Sequence, residues 1–379
     1  IERKDANMDE STLENLVLFL FRGSAPGLAE YERDLLRQVA VLPPTTHAPA
    51  LLARLFGVAE NEQTEFFNDL DGLDRRGVLL KKDGEYQLHH LVRAVALREL
   101  TPSPENCAAV LQNVTNLLRI DQARDNPVDK FPFVGYGEAL LEVFAESDEQ
   151  EVGLLQHELA LVYEDLGNYE RARDLLEAAL ASVLRNFSPD HPNVTACQSN
   201  LAMAYHNLGN YEQARDLLEV ASASIFRNFS SDHPTVAVTQ SNLAMVYLGL
   251  GKTEQARDLL EAALISDLRN FSPDHPTVAA TQSNLAMVYH NLGYYEQARD
   301  LLETALSSEL KHFGPNHPNV AIRYNNLARV KTAAGELMAA KEGFQQALSI
   351  GLRAWGDMHP NVAVTRRSLA YVESQLQKN

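Results

Sequence analysis

The sequence predicts a mostly α-helical chain whose larger part is a solenoid of helical hairpins, and three observations carry that expectation. A forty-two-residue unit begins at Glu158 and recurs in register at Asn200, Asn242, Asn284 and Asn326. The stretches Asn200 to Ser241 and Asn242 to Ser283 agree at 30 of 42 positions. Self-similarity at such a period marks stacked units that cannot bury their apolar faces alone. Each unit carries two apolar stripes at helical spacing: Leu201, Ala202, Tyr205 and Leu208, then Ala214, Leu217, Leu218 and Ala221.

The turn between the stripes is Leu208-Gly209-Asn210-Tyr211. Gly209 is matched by Gly167, Gly251, Gly293 and Gly335, where the first helix must stop and the backbone turn left-handed. The second helix runs out in Arg-Asn-Phe-Ser-Pro-Asp-His-Pro, residues 185–192. Pro192 suits the first turn of the next helix because its missing N–H would have no partner there, leaving Asp190 or His191 as the cap.

The order Leu201-Ala202, Tyr205, Gly209, Tyr211, Ala214, Leu218, Ala221 resembles the tetratricopeptide repeat. The resemblance covers Glu158 to Arg367 in five units and implies a right-handed α-solenoid, with residues 368–379 ending a C-terminal capping helix that starts at Pro360. The period exceeds the usual one by about one turn per helix. This long form, with His-Pro before each first helix, is similar to the repeats of kinesin light chains and of bacterial proteins carrying the same module.

Ahead of the repeats the pattern differs. Residues 1–30 read as the tail of a preceding helical domain, with a helix at Thr12 to Phe21 and a breaker at Gly23 to Gly27. Residues 31–104 then give helices at Tyr31–Leu42, Ala48–Phe56 and Glu62–Arg76, and strands at Val78–Lys81 and Glu85–Leu88 around Lys82-Asp83-Gly84. A last helix at His89–Leu100 completes a winged-helix order. Residues 105–157 read as a degenerate capping hairpin, with helices at Glu105–Asp121 and Glu138–Glu146 and a loop at Asn126–Gly137.

The strings LLRQVAVLPPTTHAPALLARLFG (35–57) and LDGLDRRGVLLKKDGEYQLHHLVRAVALREL (70–100) resemble the winged-helix module of STAND ATPases, the class that includes NB-ARC and AP-ATPase proteins. The resemblance implies that His89, in Leu88-His89-His90-Leu91, contacts the ADP phosphate of a longer protein, although His90 departs from the family's Asp or Pro. DNA binding is disfavoured, since the expected recognition helix sets Glu62, Glu65, Asp69, Asp71 and Asp74 against only Arg75 and Arg76.

The 379 residues, 45% apolar and 22% charged, are ordinary for a globular protein, and the net charge of -18 argues against broad affinity for nucleic acid. Cys107 and Cys197 stand far apart and form no CxxC pair, so buried thiols in a reducing, cytoplasmic compartment are expected. The apolar run Leu16–Phe21 is far below the roughly 18 residues a membrane helix needs. Because the chain starts at Ile1, a fragment is expected, whose upstream part holds the catalytic machinery.

Two patterns that imitate chemistry are structural. Gly249-Leu250-Gly251-Lys252-Thr253 ends like a phosphate loop, but Val246 stands where the first glycine belongs and the stretch falls on a hairpin turn. His191, His233, His275, His317 and His359 recur two helices apart, roughly 16–20 Å, too far to share a metal. No catalytic set or metal site emerges, so the chain itself is expected to be no enzyme and to carry no cofactor. ADP or ATP with magnesium would belong to a full-length protein.

The informative residues lie on a second stripe of each first helix, rotated away from the core stripe. In tetratricopeptide arrays this face lines the concave groove. It reads Ser199, Asn200, Met203, His206, Asn207; Ser241, Asn242, Met245; Ser283, Asn284, Met287, His290, Asn291; Asn325, Asn326, Arg329, with Arg367 beyond. Asparagine offers a donor and an acceptor to a peptide backbone, and exposed methionine adds adaptable apolar contact. Each bond contributes about 0.5–1.5 kcal/mol, so micromolar affinity needs several rungs. Glu158, Glu164 and Asp165 at the first unit oppose Arg323, Arg329, Arg366 and Arg367 at the last, which predicts a preferred orientation with an acidic ligand segment at the arginines.

The expected function is a sensor in which the array binds a protein or peptide and otherwise holds the nucleotide-binding domain of a STAND ATPase inactive. A kinesin-light-chain-like adaptor is the alternative, and a winged-helix transcriptional regulator a further one.

Overall fold

The computed structural model describes residues 27–378, so the helix and breaker expected before Gly27 lie outside the described residues. These residues form seventeen α-helices and one antiparallel hairpin. They divide into two compact units, one holding the chain to Arg119 with Pro132–Glu158, the other holding Ile120–Phe131 with the chain from Leu159 onward.

The first unit contains α1 (Glu30–Ala40), α2 (Pro49–Leu55), α3 (Gln63–Arg75), β1 (Leu79–Lys82), β2 (Glu85–Leu88), α4 (His90–Glu99), α5 (Ala108–Leu118) and α6 (Val134–Val143). Leu36, Leu42, Leu52, Leu55, Leu70, Leu73, Leu79 and Tyr86 make its fully buried centre. The strands pair Leu79 with Leu88 and Lys82 with Glu85, so β1 starts one residue later than the alternation suggested. Asp83 and Gly84 both have positive φ, the backbone a two-residue hairpin needs to follow strand twist. His47 adds a bridge to Tyr86, and its ring nitrogens meet the Tyr136 hydroxyl (2.8 Å) and the Pro43 carbonyl (3.0 Å). Arg76 clamps the buried Glu32 at 2.6 Å, and the Asn113 amide donates to the Leu55 carbonyl, tying α5 to α2.

Residues 105–157, read from the sequence as one hairpin, are instead divided: α5 and α6 pack in the first unit while Ile120–Phe131 packs with the repeats. The expected loop at Asn126–Gly137 is a 3₁₀ turn, Pro127–Phe133, running straight into α6. Pro127 is tolerated at its start because a first turn leaves the N–H without a partner.

α7 (Gln150–Asp165) leads into the array: α8 (Tyr169–Asn186), α9 (Pro192–Asn207), α10 (Tyr211–Asn228), α11 (Pro234–Gly249), α12 (Thr253–Asn270), α13 (Pro276–Asn291), α14 (Tyr295–Phe313), α15 (Pro318–Ala333), α16 (Leu337–Trp355) and α17 (Pro360–Leu376). The recurring histidines are the caps: Nδ1 of His191, His233, His275, His317 and His359 each accepts from the backbone N–H two residues on. Each ring stacks on the aromatic residue four earlier, Phe187, Phe229, Phe271, Phe313 or Trp355. One residue thus satisfies an orphan donor and seals the junction between units.

Between helices of a unit the glycine turn is left-handed, with φ between 74° at Gly167 and 83° at Gly335. Alanines and leucines from successive units interdigitate, as in the cluster Ala202, Ala214, Leu218, Leu243 and Val246. Tyrosine hydroxyls donate between neighbouring units, Tyr205 to Glu177, Tyr247 to Glu219 and Tyr289 to Glu261. The phosphate-loop look-alike is the turn between α11 and α12, preceded by a helix rather than a strand. Cys107 and Cys197 are buried free thiols, and burial pushes them up to about 11 and about 12.

Curvature brings the array back on itself. His359 Nε2 donates to the Asp165 carbonyl at 3.1 Å, and Gly167 lies so close to Pro360 that an added Cβ would fall 2.4 Å from its Cδ.

Candidate peptide-binding face

A single cavity of about 390 Å³ is lined by Tyr169 of α8, Asn207 of α9, Met245 of α11, Asn325, Asn326 and Arg329 of α15, and Trp355 of α16. It brings together residues of helices far apart in sequence, from both first and second helices of the units. A cavity of about 370 Å³ holds Ser241, Asn242 and Asn284, and one of about 560 Å³ holds His290, Arg329, Arg367, Ser368 and Tyr371.

The expected face is therefore assembled in part and spent in part. The serines are buried: Ser199 donates to the Thr195 carbonyl within its own helix, while Ser241 and Ser283 serve the stacking of units by accepting from the amides of Asn284 (3.1 Å) and Asn326 (3.3 Å). Each of those asparagines has committed one N–H to the preceding unit and keeps its carbonyl and second N–H. Asn325 accepts from Thr365, and His206 and His290 bond to their own neighbours Asn207 and Asn291. Met287 is buried, Met203 and Met245 are half-buried, and Asn200 already has a partner.

The basic end is narrower than the four arginines suggested. Arg323 is a core residue: it pairs with the buried Glu309 at 2.8 Å and donates to Ser283 at 3.0 Å. Arg366 is engaged by Asp357. Arg329 and Arg367 remain, with no acidic partner among the described residues. Arg329 keeps an exposed edge, yet desolvation draws its pKa below the ordinary arginine value.

At the opposite end burial pushes Glu164 up to about 8, with Asp165 adding a smaller rise, and pushes Asp165 up to about 7. One oxygen of Glu164 has no hydrogen-bond partner. Glu158, in the first unit, bonds to Arg119 instead of extending this acidic end. His89 is a helix cap whose Nδ1 accepts from the Leu91 N–H at 3.3 Å, with its ring 4.3 Å from that of His90.

Comparing repeats in register would have found the Glu309–Arg323 pair, since the two places read Val183/Cys197, Ile225/Thr239, Asp267/Thr281 and Glu309/Arg323 along the chain. Asp267 accepts from Thr281 at 2.7 Å, and burial raises its pKa and that of Glu309.

A family model described as tetratricopeptide repeat matches residues 151–225, 235–308 and 277–350. Among solved structures, the nearly identical TPR-like repeats of a candidate kinesin light chain from Podosopora anserina are 31% identical, with 52% of this chain and 94% of that one covered at a TM-score of 0.40. BtubC (BKLC) from P. vanneervenii is 23% identical, with 60% and 90% covered at a TM-score of 0.43. A Rap protein complexed with competence and sporulation factor is 14% identical, with 87% and 97% covered at a TM-score of 0.47. No curated protein matches the chain. With its repeats matched by that model over half its length, the chain belongs to the tetratricopeptide-repeat family.

Proposed function

We propose that the array is a polypeptide-recognition surface that takes an acidic segment of its ligand at Arg329 and Arg367. The observation that carries this is chemical: two guanidinium groups share one cavity without a carboxylate between them, while Arg323 and Arg366 beside them are neutralised. Unpaired cations in a partly desolvated cleft gain more from an incoming carboxylate than exposed ones do. The free carbonyls of Asn284 and Asn326 and the edge of Met245 extend the contact toward the acidic end.

The test is fluorescence anisotropy with labelled acidic and basic decapeptides. The acidic probe is expected to bind, to weaken at least tenfold in Arg329→Glu/Arg367→Glu, and to lose affinity with salt. Equal binding of both probes, or an unchanged affinity in the double variant, overturns the assignment.

A second reading is favoured by the first unit, whose order of three helices, hairpin and closing helix suits a winged-helix module. In that reading the chain is the sensor part of a STAND-type ATPase, His89 faces bound ADP, and the array holds an upstream nucleotide domain inactive in the cytoplasm. A kinesin-light-chain-like adaptor needs no nucleotide. In a longer chain carrying a nucleotide domain, ligand affinity that shifts between ADP and ATP supports the sensor. Affinity indifferent to nucleotide supports the adaptor.

A further inference from the structure

We propose that the chain's own Ile120–Phe131 segment is a displaceable occupant of the recognition surface, so that an external ligand must expel it to gain full contact. The proposal rests on the peptide-binding reading above and adds what already fills part of that face.

The segment packs with the repeats rather than with the residues flanking it in sequence. It lies over α13 and α15, where Ile120, Gln122, Ala123, Asp125 and Pro127 wall the same 370 Å³ cavity as Asn242 and Asn284. Two histidines hold its backbone. His312 Nε2 donates to the Ala123 carbonyl at 2.7 Å, and His317 Nε2 to the Asp125 carbonyl at 3.3 Å. His317 must carry its proton on Nε2, because Nδ1 accepts the Asn319 N–H as the cap of α15.

The array departs from its own repeat to make this contact. Where α14 has His312, α8, α10 and α12 have Asn186, Asn228 and Asn270. Asn228 and Asn270 donate to the carbonyls of Asp190 and Asp232 within the repeats. His312 gives up that internal bond and reaches the segment.

The segment is also built to leave as a unit. Asp121 accepts from the Ala123 N–H through its side chain and from the Asp125 N–H through its carbonyl, and Asp125 accepts from the Asp121 N–H. This closed turn satisfies its own amides and turns two carbonyls outward, so expulsion costs the array two hydrogen bonds rather than a ladder. Both ends of the segment continue along the chain into residues of the other unit.

The test replaces Ile120–Phe131 with a Gly-Ser stretch of equal length and follows a labelled peptide of the Ile120–Phe131 sequence. The peptide is expected to bind this variant at least tenfold more tightly than it binds the parent chain. Adding His312→Ala to the variant should weaken binding severalfold. Binding to neither, or equally to both, while circular dichroism and melting match the parent, overturns the proposal.

If the replacement does not fold, the parent chain carrying His312→Ala serves instead: trypsin should cut after the exposed Arg124 severalfold faster, and an unchanged rate overturns the proposal. The acidic decapeptide separates the two readings. Should it bind variant and parent alike, the occupant fails and the recognition surface stands. Should it bind neither while the segment peptide binds the variant, the reverse holds.

Discussion

Ile225 with Thr239 and Glu309 with Arg323 occupy the same two places in the fold, forty-two residues apart twice over, and solve the same packing problem in opposite ways. The first pair is an apolar side chain beside a hydroxyl that donates within its own helix to Thr235. The second is an ion pair with Glu309 1% and Arg323 8% exposed. The backbone accepts either, so the repeat dictates volume and direction while the chemistry is free to drift. Burying two charges gains little over a well-packed apolar pair, but stranding one is costly. Arg323→Met is therefore expected to lower stability by about 3–5 kcal/mol, read as a lower melting temperature. Transplanting the other solution, Glu309→Ile with Arg323→Thr, should recover most of that loss. If the double variant melts with the single one, the two places are not interchangeable and the comparison breaks.

The glycine turns sharpen the same contrast. Gly209 and Gly167 both have positive φ, 81° and 74°, but an added Cβ meets nothing at Gly209 and meets Pro360 at Gly167. Gly209→Ala should cost about 1–2 kcal/mol, the penalty of a left-handed alanine. Gly167→Ala adds the separation of α17 from the first turn and loss of the His359–Asp165 bond, about 1 kcal/mol more. The expected signature is faster amide exchange at the start of α17 in the second variant and not in the first. Equal exchange would show that the closure seen at Gly167 contributes nothing.

The repeats were legible because each position is sampled five times: hairpin register, glycine turns and proline starts follow from local rules that any one unit obeys. Helices α1 to α4 of the first unit were legible to within a residue or two for the same local reason, whereas the ends of α5 and α6 were misplaced by three or four. What escaped was set by partners distant in sequence. Nothing local in Asp121–Asp125 shows that its carbonyls face His312 and His317. The stripe Ser199, Ser241 and Ser283 has the right spacing for a groove, but whether a hydroxyl faces ligand or the next unit depends on how closely helices stack. Here they stack closely enough for Asn284 and Asn326 to reach across. Arginine at 323 looked like its neighbours at 329 and 367 until its acid, fourteen residues upstream, came into contact.

The smallest effect concerns the inner position that reads Glu164, His206, Leu248, His290 and Thr332 through the five units. Only the first of the five repeats puts an acid there, with Asp165 next to it and Tyr169, whose pKa both carboxyls help to raise, close by. A carboxyl raised to about 8 in the folded chain binds its proton more tightly than it does unfolded, near 4.5. Its contribution to stability is thus fully present below pH 4.5 and declines as pH rises toward 8. Glu164→Gln fixes the protonated shape, so its melting temperature should match the parent's near pH 4.5 and exceed it by a few degrees at pH 8.5. His206→Gln, at the equivalent place, removes a group whose pKa burial lowers, so any divergence from the parent should appear as pH falls rather than as it rises. Parallel curves for Glu164→Gln and the parent would mean that the carboxyl is ionised and hydrated in the folded chain. The acidic end would then be free to meet a cation on the ligand at neutral pH without first releasing a proton.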